Sequence, residues 1–331
     1  MRALVLEEID AAPRFLEVDT PSPVPGEALV RIAGAALNRR DVWISRGQYP
    51  GIQTPIILGS DGCGIVEAVA DRSESWVGKE VIINPSLGWG SDSRAQADGF
   101  SVLGLPRPGT FAEYVTVPIE NLTIKPAHLE PEKAAALPLA GVTAWRALKT
   151  RAAMQPGERV LISGIGGGVA LFALQFAVAA KAEVYVTSSS AEKIARAVEL
   201  GARSGVLYSE SGWREQLYAE VPCGFDVIVD GAGGEGFGDL ARLLGPAGRL
   251  VFYGGTRGKW PGILPQHLFF RQITILASTM GSPEDFATMV EYVSRNELVP
   301  VVDQSFRLED GAEALVCLEG ASQFGKIVLI V

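Results

Sequence analysis

The chain has 331 residues, a net charge of −9 at neutral pH, and 47% hydrophobic against 20% charged residues. That is the balance of a folded globular protein long enough for two domains. The acidic balance, with no basic run, argues against nucleic acid and anionic membrane as partners, and no apolar run reaches the ~18 residues that a membrane helix needs. The opening MRALVLEEID lacks the long apolar stretch and cleavage site of a secretory signal, so a cytoplasmic location is expected. Cys63, Cys223 and Cys317 lie far apart, without the paired spacing of a zinc site or a disulfide framework, and are expected as reduced thiols.

In chain order, short strands punctuated by Gly and Pro are predicted at 2–8, 28–34, 65–70, 80–84 and 111–117, a β-rich first domain. Asn84 to Gly109 interrupts them with a long segment holding five glycines, of a length that is usually functional or flexible. From about residue 130 strands and helices alternate. The strand 159–164 leads into a helix over 168–180, 183–188 into a helix over 191–202, and 206–208 into a polar helix. Next come 225–233 with a short helix, and 249–255 with a loop before 273–278. Six strands in this order predict a doubly wound parallel sheet. A helix near 284–295 and a last strand, 326–331, complete the reading.

The first βα turn reads RVLISGIGGGVA, from Arg159 to Ala170. A bare glycine turn entering a helix offers free N–H groups and a partial positive charge to a phosphate, although such turns also serve as plain connections. The strict G-x-G-x-x-G spacing is not met: with Gly167 in the middle, Ile165 stands first and Ala170 third. Together with the βαβ order, the turn predicts dinucleotide binding through Gly166, Gly167, Gly168 and Val169. About twenty residues on, where an NAD enzyme carries an acid for the ribose 2′-hydroxyl, the chain has Thr187, Ser188, Ser189 and Ser190, then Lys193. Without the acid a 2′-phosphate is not repelled, and Ser188, Ser189 and Lys193 could hold it; one serine could equally cap the next helix. Tyr208 could add its hydroxyl or pack in the core. NADPH is therefore the expected cofactor.

Several stretches together resemble the medium-chain dehydrogenase/reductase superfamily: ALNRRDVWISRGQYP, PIILGSDGCGIVEAV, GTFAEYVTVP, AAALPLAGVTAWRAL, the glycine turn and FGKIVLIV. The resemblance implies an α/β protein, with a GroES-like β-rich catalytic domain of residues 1–124 and 279–331. The remainder, 125–278, would be a Rossmann NADP-binding domain with a doubly wound parallel six-stranded sheet. In the zinc alcohol dehydrogenases of that superfamily the catalytic metal is held by Cys, His and a second Cys or an acid. The matching positions here read Asn38, Ser60 and Leu139, so no metal is expected.

The chain is more similar to the zinc-independent quinone oxidoreductase and enoyl reductase branch. Carried over, that likeness places Asn38 at the nicotinamide or substrate carbonyl, and Tyr49 in the substrate pocket, as the catalytic residues. It places Thr143 by the nicotinamide ribose or amide, Gly254, Gly255 and Thr256 along the nicotinamide, and Lys326 close to the cofactor. Asp41 is expected to organise its loop rather than to transfer protons. The implied reaction is hydride transfer from NADPH to a small electrophilic acceptor, an enone, quinone or aldehyde, in a homodimer. A methyltransferase, whose sheet also has a glycine turn, lacks support because its ribose acid is missing. An NADP-dependent alcohol or aldehyde dehydrogenase of the same superfamily and a non-catalytic NADPH-binding protein are the remaining alternatives.

Overall fold

The computed structural model describes residues 1–70 and 74–331, and the chain divides into two compact units, residues 1–142 with 281–331, and residues 143–280. The first boundary therefore falls after Val142 rather than at 125. The physical reason is the helix Pro131–Ala135, which packs on strands of the first unit, with Ala134 and Ala135 fully buried.

Among the described residues the first unit holds ten strands before the boundary: β1 (Arg2–Leu6), β2 (Arg14–Glu17), β3 (Glu27–Ala36), β4 (Ile56–Ile57), β5 (Asp61–Val69), β6 (Glu80–Ile83), β7 (Ser86–Leu87), β8 (Ser101–Val102), β9 (Tyr114–Pro118) and β10 (Leu122–Ile124). Strand β3 alternates in the way a half-buried strand must, with Ala28, Val30 and Ile32 inward and Arg31 exposed. It pairs with both β5 and β9, at the centre of the main β-rich sheet.

The predicted loop 84–109 is anchored at both ends. Strands β7 and β8 pair, Trp89 is buried edge-on against Phe100, and the Asn121 amide donates to the carbonyls of Asn84 and Ser86, 2.9 Å each. Its middle, residues 90–99, is exposed, as are Gly88, Pro106 and Pro108.

The second unit carries β11 (Arg159–Ile162), β12 (Glu183–Ser188), β13 (Ser204–Leu207), β14 (Phe225–Asp230), β15 (Leu244–Phe252) and β16 (Thr274–Ala277). These form one parallel sheet in the order β13-β12-β11-β14-β15-β16. Strands β11, β12 and β14 are buried nearly end to end, as expected where helices cover both faces. The strand order reverses between β11 and β14, and ligands of such sheets bind outside the carboxyl ends at that point.

The chain then returns to the first unit with the helix Pro283–Arg295, β17 (Val302–Arg307) and β18 (Lys326–Ile330). Strand β18 pairs with β3 and, in parallel, with β17. Strand β17 has no sequence signal: VDQSFR is polar, and it forms a strand because β18 offers it a partner.

Candidate functional site

The glycine turn of the second unit is shaped by its neighbours at the carboxyl ends of β11, β12 and β14. Ser163 donates from its backbone to Val229 and from its hydroxyl to the Asp230 carboxylate. Gly164 N–H donates to Thr187 Oγ1 at 3.1 Å, and Ile165 N–H to the Thr187 carbonyl at 2.8 Å. Gly164 and Gly166 have φ of +63° and +131°, which L side chains avoid. A Cβ on Gly166 would stand 2.9 Å from Lys193 Cδ, whereas one on Gly164 or Gly167 would meet nothing within 4 Å. Lys193 thus folds over one side of the turn while the other side is open. Gly167 is the N-cap of the helix Gly168–Ala179 and makes no side-chain cap, so the first-turn N–H groups of Gly168 and Val169 face the same opening.

At the end of β12 the hydroxyls have separate tasks. Ser190 caps the helix Ala191–Glu199 by accepting from Lys193 N–H, Ser188 Oγ accepts from Ser190 N–H, and Ser189 is exposed. The capping alternative therefore belongs to Ser190. Tyr208 is half-buried rather than in the core; its N–H donates to Ser188, and its ring lies under the Arg257 guanidinium at 5.3 Å.

Gly254 and Gly255 line a cavity of about 610 Å³ beyond the carboxyl ends of β14, β15 and β16, with Gly233, Tyr253, Trp260 and Ser278. Gly254 sits too close to β14 for any side chain, since a Cβ would come 2.6 Å from the Gly231 carbonyl. Trp260 stacks on Phe237 with centroids 3.8 Å apart. Thr256 is exposed in the same loop, and Thr143 is buried in the helix Pro138–Trp145.

The first unit gathers a second set of groups. Asp61, at the start of β5, is fully buried: Oδ1 accepts from Leu139 N–H at 2.7 Å, and Oδ2 accepts from Asn38 Nδ2 and Lys326 Nζ, 2.9 Å each. Lys326 Nζ also donates to the Leu37 carbonyl and to Asn38 Oδ1, at 2.7 and 2.6 Å. All three ammonium protons and the Asn38 amide are thus committed to the protein, which narrows the expected direct contacts of Asn38 and Lys326 to a supporting role. Asn38 precedes the helix Arg39–Ser45, and its N–H donates to Asp41 Oδ2 at 2.7 Å, the organising role expected of Asp41. Burial raises the Asp41 carboxyl to about 6, against the opposing pull of Arg40, and its Oδ1 has no hydrogen-bond partner.

Arg40 is buried too, with Nη1 donating to Ser60 Oγ at 2.6 Å and to the Leu103 carbonyl at 2.8 Å, and its guanidinium lies 5.1 Å from the centre of the half-buried Tyr49 ring. Asp61 and Arg40 escaped the sequence reading. The signal that could have found Asp61 is an acid inside the apolar run PIILGSDGCGIV; for Arg40 there was none beyond its place in NRRD.

A divalent metal does not fit this arrangement. The oxygens of Asn38 and Ser60 each accept from a cation, Lys326 or Arg40, Leu139 contributes only a backbone N–H already bound to Asp61, and no cluster of three His, Cys, Asp or Glu suited to a metal exists among the described residues. The dinucleotide does fit the second unit, in the open glycine turn and the cavity beside it.

Residues 24–127 match the family model of the alcohol dehydrogenase GroES-like domain, and residues 168–295 match that of the zinc-binding dehydrogenases. The chain is 36% identical to a zinc-type alcohol dehydrogenase-like protein, YogA, of Leptosphaeria maculans, over 94% of this chain and 92% of that protein. The chain belongs to the medium-chain dehydrogenase/reductase superfamily. Other members of the superfamily resemble it as well. Prostaglandin reductase-3 of Bos taurus is 33% identical over 78% of this chain and 64% of its own length. The crystal structure of an NAD-dependent alcohol dehydrogenase superposes with a TM-score of 0.93 at 36% identity, covering all of both chains. This superfamily member is accordingly an oxidoreductase built on a GroES-like domain and a six-stranded Rossmann sheet.

Proposed function

We propose that the protein is an NADPH-dependent oxidoreductase that reduces an activated C=C bond or a quinone without zinc. The observation that carries the reading is the open glycine turn beside a β12 end that offers hydroxyls and Lys193 but no carboxylate. A structural relative is named NAD-dependent; the preference proposed here rests on this chain's own residues. A bound reduced nicotinamide supplies the hydride. The Rossmann unit binds the phosphates through the N–H groups of Gly166 to Val169, and the glycines 254 and 255 leave room for the flat ring. In the first unit Tyr49, backed by the Arg40 guanidinium, contacts the acceptor, while Asp61 and Lys326 hold Asn38 and the start of the Arg39–Ser45 helix in place. An enone or quinone suits such a site, because charge developing on its oxygen needs hydrogen-bond donors rather than a Lewis acid. Prostaglandin reductase-3 among the relatives supports the same class by name.

We further propose a cytoplasmic homodimer. Strand β16 ends the sheet, and the nearby Leu264, Phe269 and Phe270 are exposed, which suits a second copy at that edge. The three cysteines are free thiols, as a reducing compartment requires.

The deciding experiment is a steady-state screen of methyl vinyl ketone, simple quinones, aldehydes and alcohols with NADPH and NADH, followed at the nicotinamide absorbance. Turnover of enones or quinones with NADPH is expected. Turnover confined to alcohols and NAD, or none with tight NADPH binding, would replace the proposal with the dehydrogenase or the non-catalytic reading.

A further inference from the structure

Arg257 was not part of any motif, yet its position is unusual. Its backbone is fixed at the carboxyl end of β14, where its N–H donates to the Ala232 carbonyl at 2.8 Å and Gly234 N–H donates to Gly258 at 3.1 Å. A Cβ on Gly234 would lie 2.7 Å from Arg257 Cβ, so the two loops are in tight contact. The guanidinium nevertheless ends over Tyr208, at the carboxyl end of β13. In the order β13-β12-β11-β14 these anchor points are three strands apart, about 14 Å at ~4.8 Å per strand. The two side chains therefore span the carboxyl ends of β12 and β11, the strands that carry the serines and the glycine turn.

The Arg257 guanidinium stands within cation–π range of the Tyr208 ring, its carbon 5.3 Å from the ring centre. Its N–H edge has no hydrogen-bond or ion-pair partner among the described residues, so a planar cation is held in place with its donors free. The end of β12 carries serines and no acid that would compete for the cation.

We infer that Arg257 is the second cationic contact for the adenosine 2′-phosphate, parked on the Tyr208 ring and acting opposite Lys193; this rests on the NADPH reading and extends it to cofactor selection. A guanidinium bound to a phosphate forms charge-assisted bonds with no counterpart in a 2′-hydroxyl cofactor.

The test uses the adenosine end alone, by calorimetric titration of the full-length protein with 2′,5′-ADP and with 5′-AMP. The wild type should bind 2′,5′-ADP more tightly. Arg257→Ala should weaken 2′,5′-ADP by about tenfold or more and 5′-AMP by less than about threefold, and Arg257→Lys, which keeps charge without the planar fork, should fall in between. Arg257 is exposed, so folding should be unchanged by thermal denaturation. If the wild type shows no preference, the NADPH reading itself fails. If the wild type prefers 2′,5′-ADP but Arg257→Ala leaves that preference intact, the inference alone is overturned.

Discussion

The Lys326 ammonium lies 2.9 Å from the Asp61 carboxylate, and the two side chains are 4% and 0% exposed. A charge pair so far from water survives because every remaining valence is used: Asn38, Leu37 and the Leu139 N–H complete the hydrogen bonding. Removing one partner leaves a buried charge. Lys326→Met should cost about 3–5 kcal/mol in urea denaturation, and adding Asp61→Asn should recover part of that loss. A single-variant loss as small as that of a surface substitution would refute the account.

Asp41 ties stability to pH. Its folded-state value of about 6 lies above the 3.8 of an unperturbed aspartate, mainly through burial. The folded protein therefore holds the proton more tightly than the unfolded chain. The associated stability is complete below about 3.8 and is lost as pH rises through about 6, a change on the order of 3 kcal/mol. Asp41→Asn should flatten the stability curve across that window in denaturation series at several pH values. An unaltered slope would show that another group titrates there.

Gly166→Ala would place a methyl at φ +131° and against the Lys193 stem. It should reduce stability by about 1–3 kcal/mol through backbone strain and weaken NADPH binding by about tenfold as the turn shifts. Fluorescence titration of the nicotinamide measures the second effect. Wild-type affinity in the variant would show that the turn does not shape the phosphate site.

Lys193→Ala should raise the dissociation constant for NADPH by about tenfold or more, against less than about threefold for NADH, the difference that one charge-assisted phosphate contact makes. Equal losses for the two cofactors would remove Lys193 from the 2′-phosphate.

Two cations already occupy the oxygens of Asn38 and Ser60. Prolonged incubation with a chelator should therefore leave the NADPH-dependent rate unchanged, with far less than stoichiometric zinc by elemental analysis. A rate abolished by chelation and restored by zinc would overturn the metal-free reading.

Local signals account for much of what could be read in advance. The near-continuous apolar runs of β11, β12 and β14 and the glycines between β11 and its helix are patterns over a few residues, and these predicted the sheet and the open glycine turn. Strand β17 was invisible because its residues are polar and its pairing comes from β18, distant in hydrogen-bonding terms from anything in its own segment. The loop 84–109 looked bare because Trp89 and Asn121 anchor it through contacts that composition does not encode.

The sequence by itself determined the superfamily, the two kinds of domain, and the absence of an acid after the second Rossmann strand, since each depends on residue type and spacing alone. Only the tertiary structure decided what the charged groups do. Lys326, Asp61 and Asn38 come from segments distant in sequence and find each other because a buried charge must be paired, while Arg257 reaches Tyr208 across three strands because all strands of a parallel sheet end on the same side. Partners chosen across hundreds of residues follow from folding, and no local pattern announces them.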